Sequence, residues 1–199
     1  MSKTIFKNIK LANKNELDDY LKEYPDTKYL DAIICDLSGL FRGKRIPIQD
    51  AEKLFSQGIQ FCYSTFLLDA SGYCPDVKGR GFSDGDPDAT YYPIADTIKP
   101  LPWHKDPLAQ VLISIQDDHR YSSLVDPRNI LAKVTEIFQE INLFPKIAFE
   151  LEFYLFDKRR SIYERPKVAT SPKSKRRSEG TQVYGMKELD DYYDFLEDV

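Results

Sequence analysis

The 199-residue sequence predicts an α+β fold in two parts. Up to residue 116, short stretches of β-favouring composition outnumber helical patterns, which is typical of a small α+β domain. After residue 124, a helical pattern is followed at once by an apolar strand pattern, as at the opening of an α/β sheet layer. Apolar residues make up 42% of the chain and aromatic residues 13%, so it can build a core.

The first part is predicted to begin with a helix and a β-hairpin. Asn13 is a suitable helix N-cap, and Pro25 ends the helical pattern that follows it. Strands are predicted over residues 29–37 and 40–47, because a tight turn lies between two β-favouring stretches. A short helix is predicted over residues 50–57, before a glycine that suits a helix end.

The rest of the first part predicts short strands around a long loop. Residues 61–68 are expected to be extended. Residues 69–102 are rich in Gly, Pro and Asp, which favours a loop, with a short extended piece at 91–94. Residues 109–116 predict another strand, and the polar segment 117–123 marks a domain boundary.

The second part is predicted to open with a helix. Asp126 suits the N-cap position, and an apolar stripe with helical spacing continues until Pro145. Residues 158–177 hold nine basic residues and one acidic residue, which predicts a mobile, solvated loop that extends to about residue 180. Residues 187–199 have the spacing of an amphipathic helix with an uncovered apolar face.

Residues 148–156 (AFELEFYLF) predict a strand that carries two carboxylates. The period-two pattern places Glu150 and Glu152 on one face, and apolar neighbours predict burial on both sides. Two such carboxylates lose hydration and repel each other unless a cation pairs with them. Mg²⁺ or Mn²⁺ would provide that charge. Alternatively, the glutamate face lies at a sheet edge or pairs with Lys or Arg, and the pattern alone leaves these interpretations open.

Composition limits the class of protein. No apolar stretch approaches the ~18 residues of a membrane span, and residues 1–14 lack the apolar region of a secretory signal. The net charge of −4 gives no general reason to expect nucleic acid or an anionic membrane as a partner. Three cysteines without metal-type spacing predict reduced thiols in a cytoplasmic protein.

Several motifs occur in an order that resembles the glutamine synthetase family. They are YLDAIICDLSGLFRGKRIP at 29–47, the aspartate cluster DGDPD at 84–88, PLPW at 100–103, DPR at 126–128 and FELEFYLFD at 149–157. The segment GTQVYGMKEL at 180–189 further resembles the gamma-glutamylputrescine synthetase branch. The resemblance runs from about residue 13 to the C-terminus.

The resemblance implies a β-grasp N-terminal domain at 13–117, followed at 124–199 by the opening helix and strand of an incomplete catalytic domain. It implies that Glu150 binds a metal on the ATP-phosphate side and that Glu152 binds a second metal, each Mg²⁺ or Mn²⁺. The family's other metal ligands lie downstream of a segment like 187–199, so this chain alone is expected to be inactive.

The resemblance also implies an ATP-dependent ligase reaction. A glutamate carboxylate is phosphorylated, and an amine or ammonia then displaces the phosphate to form a gamma-glutamyl amide. Paired metals neutralise the phosphate charge in such a transfer. The implied partners are glutamate, an amine or ammonia, ATP and further copies of the chain, with neither nucleic acid nor membrane.

Two acidic residues of the first part match the family's amine-binding positions. Asp69 and Asp86 are the candidates that would bind and deprotonate the incoming ammonium or amine. For the 84–88 cluster the alternative is a turn with local side-chain hydrogen bonds. The match at 182–185 favours a polyamine or other primary amine over ammonia. The basic residues of the 40–47 strand are interpreted as a solvated face of the hairpin.

Two other classes of function remain open. The basic segment 158–177 suits a nucleic-acid-binding module, although aromatic residues are few within it. The apolar face of the 187–199 helix suits a non-catalytic interaction protein with a specific partner.

Overall fold

The computed structural model contains both helices and strands, which confirms the mixed α+β class. Contacts divide the chain into two compact units, Met1–Pro145 and Lys146–Val199. The β-grasp assignment and the domain bounds 13–117 and 124–199 stay predictions. The structure describes residues 9–77, 79, 81–115, 125–158, 161–177, 180 and 183–199.

A six-stranded mixed sheet is the frame of the first unit. Across the sheet the order is β2-β1-β6-β4-β3, and β5 pairs with β6 beside this path. β1 and β6 run parallel, and the other pairs are antiparallel. The strands are β1 (Tyr29–Cys35), β2 (Phe41–Pro47), β3 (Ile59–Cys62), β4 (Asp88–Pro93), β5 (Lys99–Pro100) and β6 (Leu108–Ile115).

The predicted hairpin is confirmed, and β1 pairs with β2 along its whole length. Gly43 is required there, because a Cβ at this position would lie 2.2 Å from the Ala32 carbonyl oxygen. The extended prediction for residues 61–68 is wrong beyond Cys62. A 3₁₀-helix forms over Tyr63–Leu67, and its tight turn buries aromatic side chains three residues apart.

The core lies on one face of the sheet, beneath the first two helices. Period-two alternation puts every second residue of β1 on this face, where apolar residues of both helices cover them. The helices of the first unit are α1 (Lys14–Glu23), α2 (Ala51–Gln57) and α3 (Pro127–Glu140). The buried residues from β1, α1 and α2 are Leu30, Ala32, Ile34, Leu17, Tyr20, Leu54 and Phe55.

Side-chain contacts of Lys44 connect the two edge strands of the curled sheet. Lys44 of β2 donates from Nζ to the Gln60 carbonyl oxygen of β3 at 2.6 Å. The same ammonium lies 4.6 Å from the ring centroid of Phe61, a cation–π contact. β2 and β3 are the two ends of the strand order, so these contacts bring opposite edges of the sheet together.

A buried ion pair closes the β1–β2 hairpin. The Asp36 side chain is fully buried, and its Oδ2 accepts a hydrogen bond from Arg42 Nε at 2.5 Å. Its Oδ1 accepts hydrogen bonds from the backbone amides of Ser38 and Leu40 at 2.9 and 2.8 Å. Burial opposes ionisation, but these donors hold the pKa of Asp36 below its usual range. The interpretation of Arg42 as a solvated residue is therefore wrong.

Polar side chains fix the start of α3 to the end of β6. Asp126 is the N-cap, as predicted, and its Oδ1 accepts a hydrogen bond from the Arg128 amide at 2.9 Å. Its Oδ2 accepts one from Ser114 Oγ at 2.6 Å, and Asn129 Nδ2 donates to the Ile115 carbonyl oxygen at 3.2 Å. Burial raises the pKa of Asp126, although the hydrogen bonds that its carboxylate accepts from Ser114 and Arg128 oppose the shift.

The second unit has little regular structure where it is described. The predicted strand at 148–156 is wrong, because residues 148–155 form no strand and Phe156 makes a single bridge with Val168. The described parts of 158–180 contain turns and one further bridge, which agrees with a loop; its mobility stays a prediction. The predicted 187–199 helix is broken into α4 (Met186–Asp191) and α5 (Tyr193–Glu197).

Within the part of the chain that the structure describes, no helix has the length and hydropathy needed to cross a membrane.

Replacing Asp36 by Asn should lower the free energy of unfolding by about 3 kcal/mol, because it breaks a buried ion pair. Asp31→Asn is the matched control, since Asp31 pairs with Arg45 through two hydrogen bonds at the surface. The control should cost less than about 1 kcal/mol. Urea unfolding at pH 7 measures both, and equal losses would contradict the special role of the buried pair.

The free energy of unfolding of Asp126→Asn should increase relative to that of wild type as pH rises above 3.8, the ordinary pKa of the carboxyl group. The raised pKa means that the folded state resists ionisation of Asp126, so wild type loses stability as pH rises through that pKa. Urea unfolding of both proteins between mildly acidic and neutral pH measures the difference. A constant difference across this range would contradict the assignment.

Candidate functional site

Asp69 organises an exposed loop, residues 68–73, which is called the Asp69 loop below. Its Oδ1 accepts hydrogen bonds from the Ser71 amide, the Ser71 hydroxyl and the Tyr73 amide at 2.8, 2.7 and 2.9 Å. The Asp69 amide in turn donates to the Tyr73 carbonyl oxygen at 2.9 Å. Gly72 has a φ of 86°, a conformation that its lack of a side chain permits.

The hydrogen bonds of this loop set the charge of Asp69. The Ser71 hydroxyl and the Tyr73 amide hold the pKa of Asp69 below its usual range. The carboxylate is therefore ionised at neutral pH and exposed. An exposed, ionised carboxylate on an ordered loop is suited to bind a cation.

The aspartate cluster at 84–88 forms a tight turn. Asp84 Oδ1 accepts hydrogen bonds from the Gly81 and Asp86 amides at 3.1 and 3.2 Å. Asp86 has a φ of 45°, which Asp tolerates better than most residues, and its Oδ1 accepts a hydrogen bond from the Ser64 amide at 3.2 Å. The turn with local side-chain hydrogen bonds, predicted as the alternative for this cluster, is present.

Asp86 connects the turn to the core. Ser64 lies in the buried 3₁₀-helix over Tyr63–Leu67, and the adjacent Tyr63 amide donates to the Pro87 carbonyl oxygen at 3.0 Å. Asp86 is half-buried. Its carboxylate thus has a structural partner, the Ser64 amide.

Glu150 and Glu152 are exposed, in a segment without regular structure. The prediction that this segment is buried on both sides is wrong, since Phe149 is 89% exposed and Leu151 is 78% exposed. A strand needs neighbouring strands to satisfy its backbone groups, and no described strand pairs with residues 148–155. The glutamates keep their hydration here, so this conformation imposes no need for a metal.

The donor chemistry of the two glutamates suits a hard cation, since carboxylate oxygens are preferred ligands of Mg²⁺ and Mn²⁺. The number of ligands, however, is too small to hold such a cation. Among the described residues, no group of three or more His, Cys, Asp and Glu side chains is placed to hold a metal. Two carboxylates leave most of a six-oxygen shell to water. Their assignment as metal ligands stays a prediction.

Basic residues of β2 do not form an anion site. Arg42 pairs with the buried Asp36, and Arg45 pairs with Asp31. Lys44 is committed to Gln60 and Phe61 across the curled sheet. The sequence motif contains all these residues, but their pairing depends on the hairpin register and on the curl, neither of which the spacing reveals.

Comparison with known proteins identifies a family for the C-terminal part of the chain. Residues 124–199 match the model of the glutamine synthetase catalytic domain. Over 188 residues, or 94% of the chain, the sequence is 34% identical to gamma-glutamylputrescine synthetase PuuA of Escherichia coli. Over 142 residues, or 70% of the chain, it is 29% identical to the glutamate–isopropylamine ligase of a Pseudomonas species.

The matched regions cover only part of each relative. The chain spans 40% of the length of the E. coli synthetase and 30% of the Pseudomonas ligase. A solved structure of a GmaS/ADP complex matches 63% of this chain and 26% of its own chain, with 18% sequence identity and a TM-score of 0.49.

The sequence relationships confirm the resemblance that the motifs indicated. They extend from the first unit, which includes Asp69 and Asp86, to the segment of Glu150 and Glu152. Residues 124–199 thus belong to the glutamine synthetase catalytic-domain family, and 94% of the chain is similar to a stretch that makes up 40% of a gamma-glutamylputrescine synthetase.

Proposed function

We propose that this chain is the N-terminal part of an ATP-dependent ligase that joins glutamate to an amine or to ammonia through gamma-glutamyl phosphate. The observation that carries this proposal is the 34% identity to gamma-glutamylputrescine synthetase over 94% of the chain. The match with the glutamine synthetase catalytic domain supports the same class of reaction, because it includes both Glu150 and Glu152.

Glu150 and Glu152 are the proposed metal ligands of the intact enzyme. Glu150 is assigned to the metal on the ATP-phosphate side and Glu152 to the other. A bound Mg²⁺ or Mn²⁺ pair neutralises charge on the phosphates during phosphoryl transfer. The contribution of this chain is two carboxylates from one short segment, which need further ligands and an ordered strand to hold two ions.

Asp69 and Asp86 are the proposed binding groups for the amine. An ammonium group is attracted to a carboxylate, and Asp69 is ionised and exposed on an ordered loop. A carboxylate with a lowered pKa is a weak base, so Asp69 is suited to bind the cation rather than to take its proton.

The proposed amine is a polyamine or another primary amine. Two of the relatives are gamma-glutamylputrescine synthetase and glutamate–isopropylamine ligase, whose names specify amines. Of the 182–185 motif that favours this branch, Gln182 lies outside the described residues.

The intact enzyme is proposed to be a cytoplasmic homo-oligomer, and the free state of all three cysteines is compatible with a reducing compartment.

A chimera tests the proposed function directly. Residues 1–199 would replace the matching N-terminal part of the E. coli synthetase, and gamma-glutamyl amide formation would be measured with putrescine and with ammonium. The chimera should be active and prefer putrescine. Glu150→Gln and Glu152→Gln should each reduce activity by at least about 100-fold, because a lost metal ligand costs at least as much as a lost hydrogen-bond partner of such a ligand.

Glu140→Gln is the matched control for the chimera, since Glu140 is exposed at the end of α3. It should leave activity within about twofold of the parent chimera, as expected of a surface change. Full activity of both metal-ligand variants would refute the assignment of Glu150 and Glu152. An active chimera that prefers ammonium would refute the proposed amine.

A polypeptide of residues 1–199 alone should not hydrolyse ATP in the presence of glutamate with putrescine or ammonium. Its described residues offer no cluster that holds a metal, and phosphoryl transfer depends on such charge neutralisation. Phosphate release above background, removed by Glu150→Gln, would contradict this expectation.

A further inference from the structure

Side chains of the β1–β2 hairpin hold the Asp69 loop. Arg42 Nη2 donates a hydrogen bond to the Asp69 carbonyl oxygen at 3.2 Å. Ser38 Oγ lies 3.4 Å from the Leu68 carbonyl oxygen and donates to it. The hydrogen bonds centred on Asp69 fix the shape of the loop, whereas these two contacts fix its position on the hairpin.

Arg42 is itself fixed by a group inside the protein. Its Nε donates to Asp36, a carboxylate with no solvent exposure. Two backbone amides of the hairpin turn hold the other oxygen of Asp36, so the carboxylate cannot rotate freely. The guanidinium therefore connects a rigid buried anchor to the backbone of an exposed loop.

A guanidinium is well suited to this connection. Its donors are arranged in a planar fork, so one edge can hold Asp36 while another reaches the Asp69 carbonyl oxygen. The contact uses the backbone of Asp69 and leaves the side chain to its own loop. Since Asp69 Oδ1 is bound to Ser71 and Tyr73, a shift of the loop backbone would move the whole carboxylate.

We propose that Arg42 is a positioning residue for Asp69, and that the Asp36–Arg42 pair holds the Asp69 carboxylate in place for a cationic amine. This inference rests on the proposed amine-binding role of Asp69. It assigns to the Asp36–Arg42 pair a function besides the stability of the hairpin.

Amide hydrogen exchange of the ¹⁵N-labelled 199-residue chain tests the positioning role. The reporters are the Asp69 and Tyr73 amides, which belong to the loop, and the β6 amides are the internal reference. Urea is added to the more stable protein of each pair until both have the same free energy of unfolding, so that the global cost of losing the Asp36 pair cancels in the comparison. Arg42→Gln should accelerate exchange at the two loop amides by about tenfold relative to β6, as expected from the loss of hydrogen bonds made by a charged group.

Arg45→Gln is the matched control. Arg45 lies on the same strand and its side chain also makes an ion pair, but its two hydrogen bonds go to Asp31. It should leave the ratio of loop to β6 exchange within about twofold of wild type, since it lacks the contact to the loop. A purely stabilising role for Arg42 would leave the loop-to-β6 ratio equal to that of wild type at matched free energy of unfolding.

Arg42→Lys provides a second variant if Arg42→Gln does not fold. Lysine keeps a cation beside Asp36 but lacks the planar fork, so the loop amides should still exchange severalfold faster relative to β6. A loop-to-β6 ratio within about twofold of wild type in every folded Arg42 variant would overturn the proposal, because an unmoved loop has no dependence on Arg42.

A separate titration distinguishes this inference from the proposed function. Putrescine would be added to the labelled wild-type chain and to Asp69→Asn, with chemical shifts of the loop as readout. Shifts in wild type that Asp69→Asn removes support the amine-binding role. Their absence counts against that role, whereas the exchange experiment decides the position of the loop independently of any ligand.

Discussion

The buried carboxylate of Asp36 is the constraint on which the first unit depends most. A carboxylate without solvent contact is costly unless every oxygen has a donor, and the hairpin meets this need with Arg42 and two backbone amides. Those partners come from the turn and from β2, so they fix the register of the hairpin. The same arginine reaches the Asp69 loop. Hairpin closure and loop position are therefore set by one group.

Much of the first unit could be predicted from local sequence. The Asn13 and Asp126 caps mark where α1 and α3 begin, because a side-chain oxygen at these positions accepts a hydrogen bond from a free backbone amide. The hairpin follows from a tight turn between two β-favouring stretches. The 3₁₀-helix at Tyr63–Leu67 could not be predicted, since its apolar spacing also fits a strand and burial decides between them.

The candidate site was predictable in its residue types and not in its geometry. Asp84 and Asp69 are held by local hydrogen bonds, as turn-forming aspartates are expected to be. The ion pair between Asp36 and Arg42 could not be predicted, because two residues six positions apart become neighbours only in a particular register of the hairpin. For residues 148–156, the sequence pattern predicts a strand that the structure does not contain. Their alternating pattern is that of a strand, but a strand forms only where another offers hydrogen bonds. The proposed metal binding by Glu150 and Glu152 would therefore require strand partners for residues 148–156.

Glu150 and Glu152 are proposed to form a metal site only when such partners order their segment. Paramagnetic broadening by Mn²⁺ in the ¹⁵N-labelled 199-residue chain tests it most directly. We expect weak broadening near both glutamates that rises steadily with Mn²⁺ and does not saturate below millimolar concentration, because two hydrated carboxylates bind a divalent ion poorly. Saturable broadening of the Glu150 and Glu152 amides at micromolar Mn²⁺, lost in Glu150→Gln, would contradict the account.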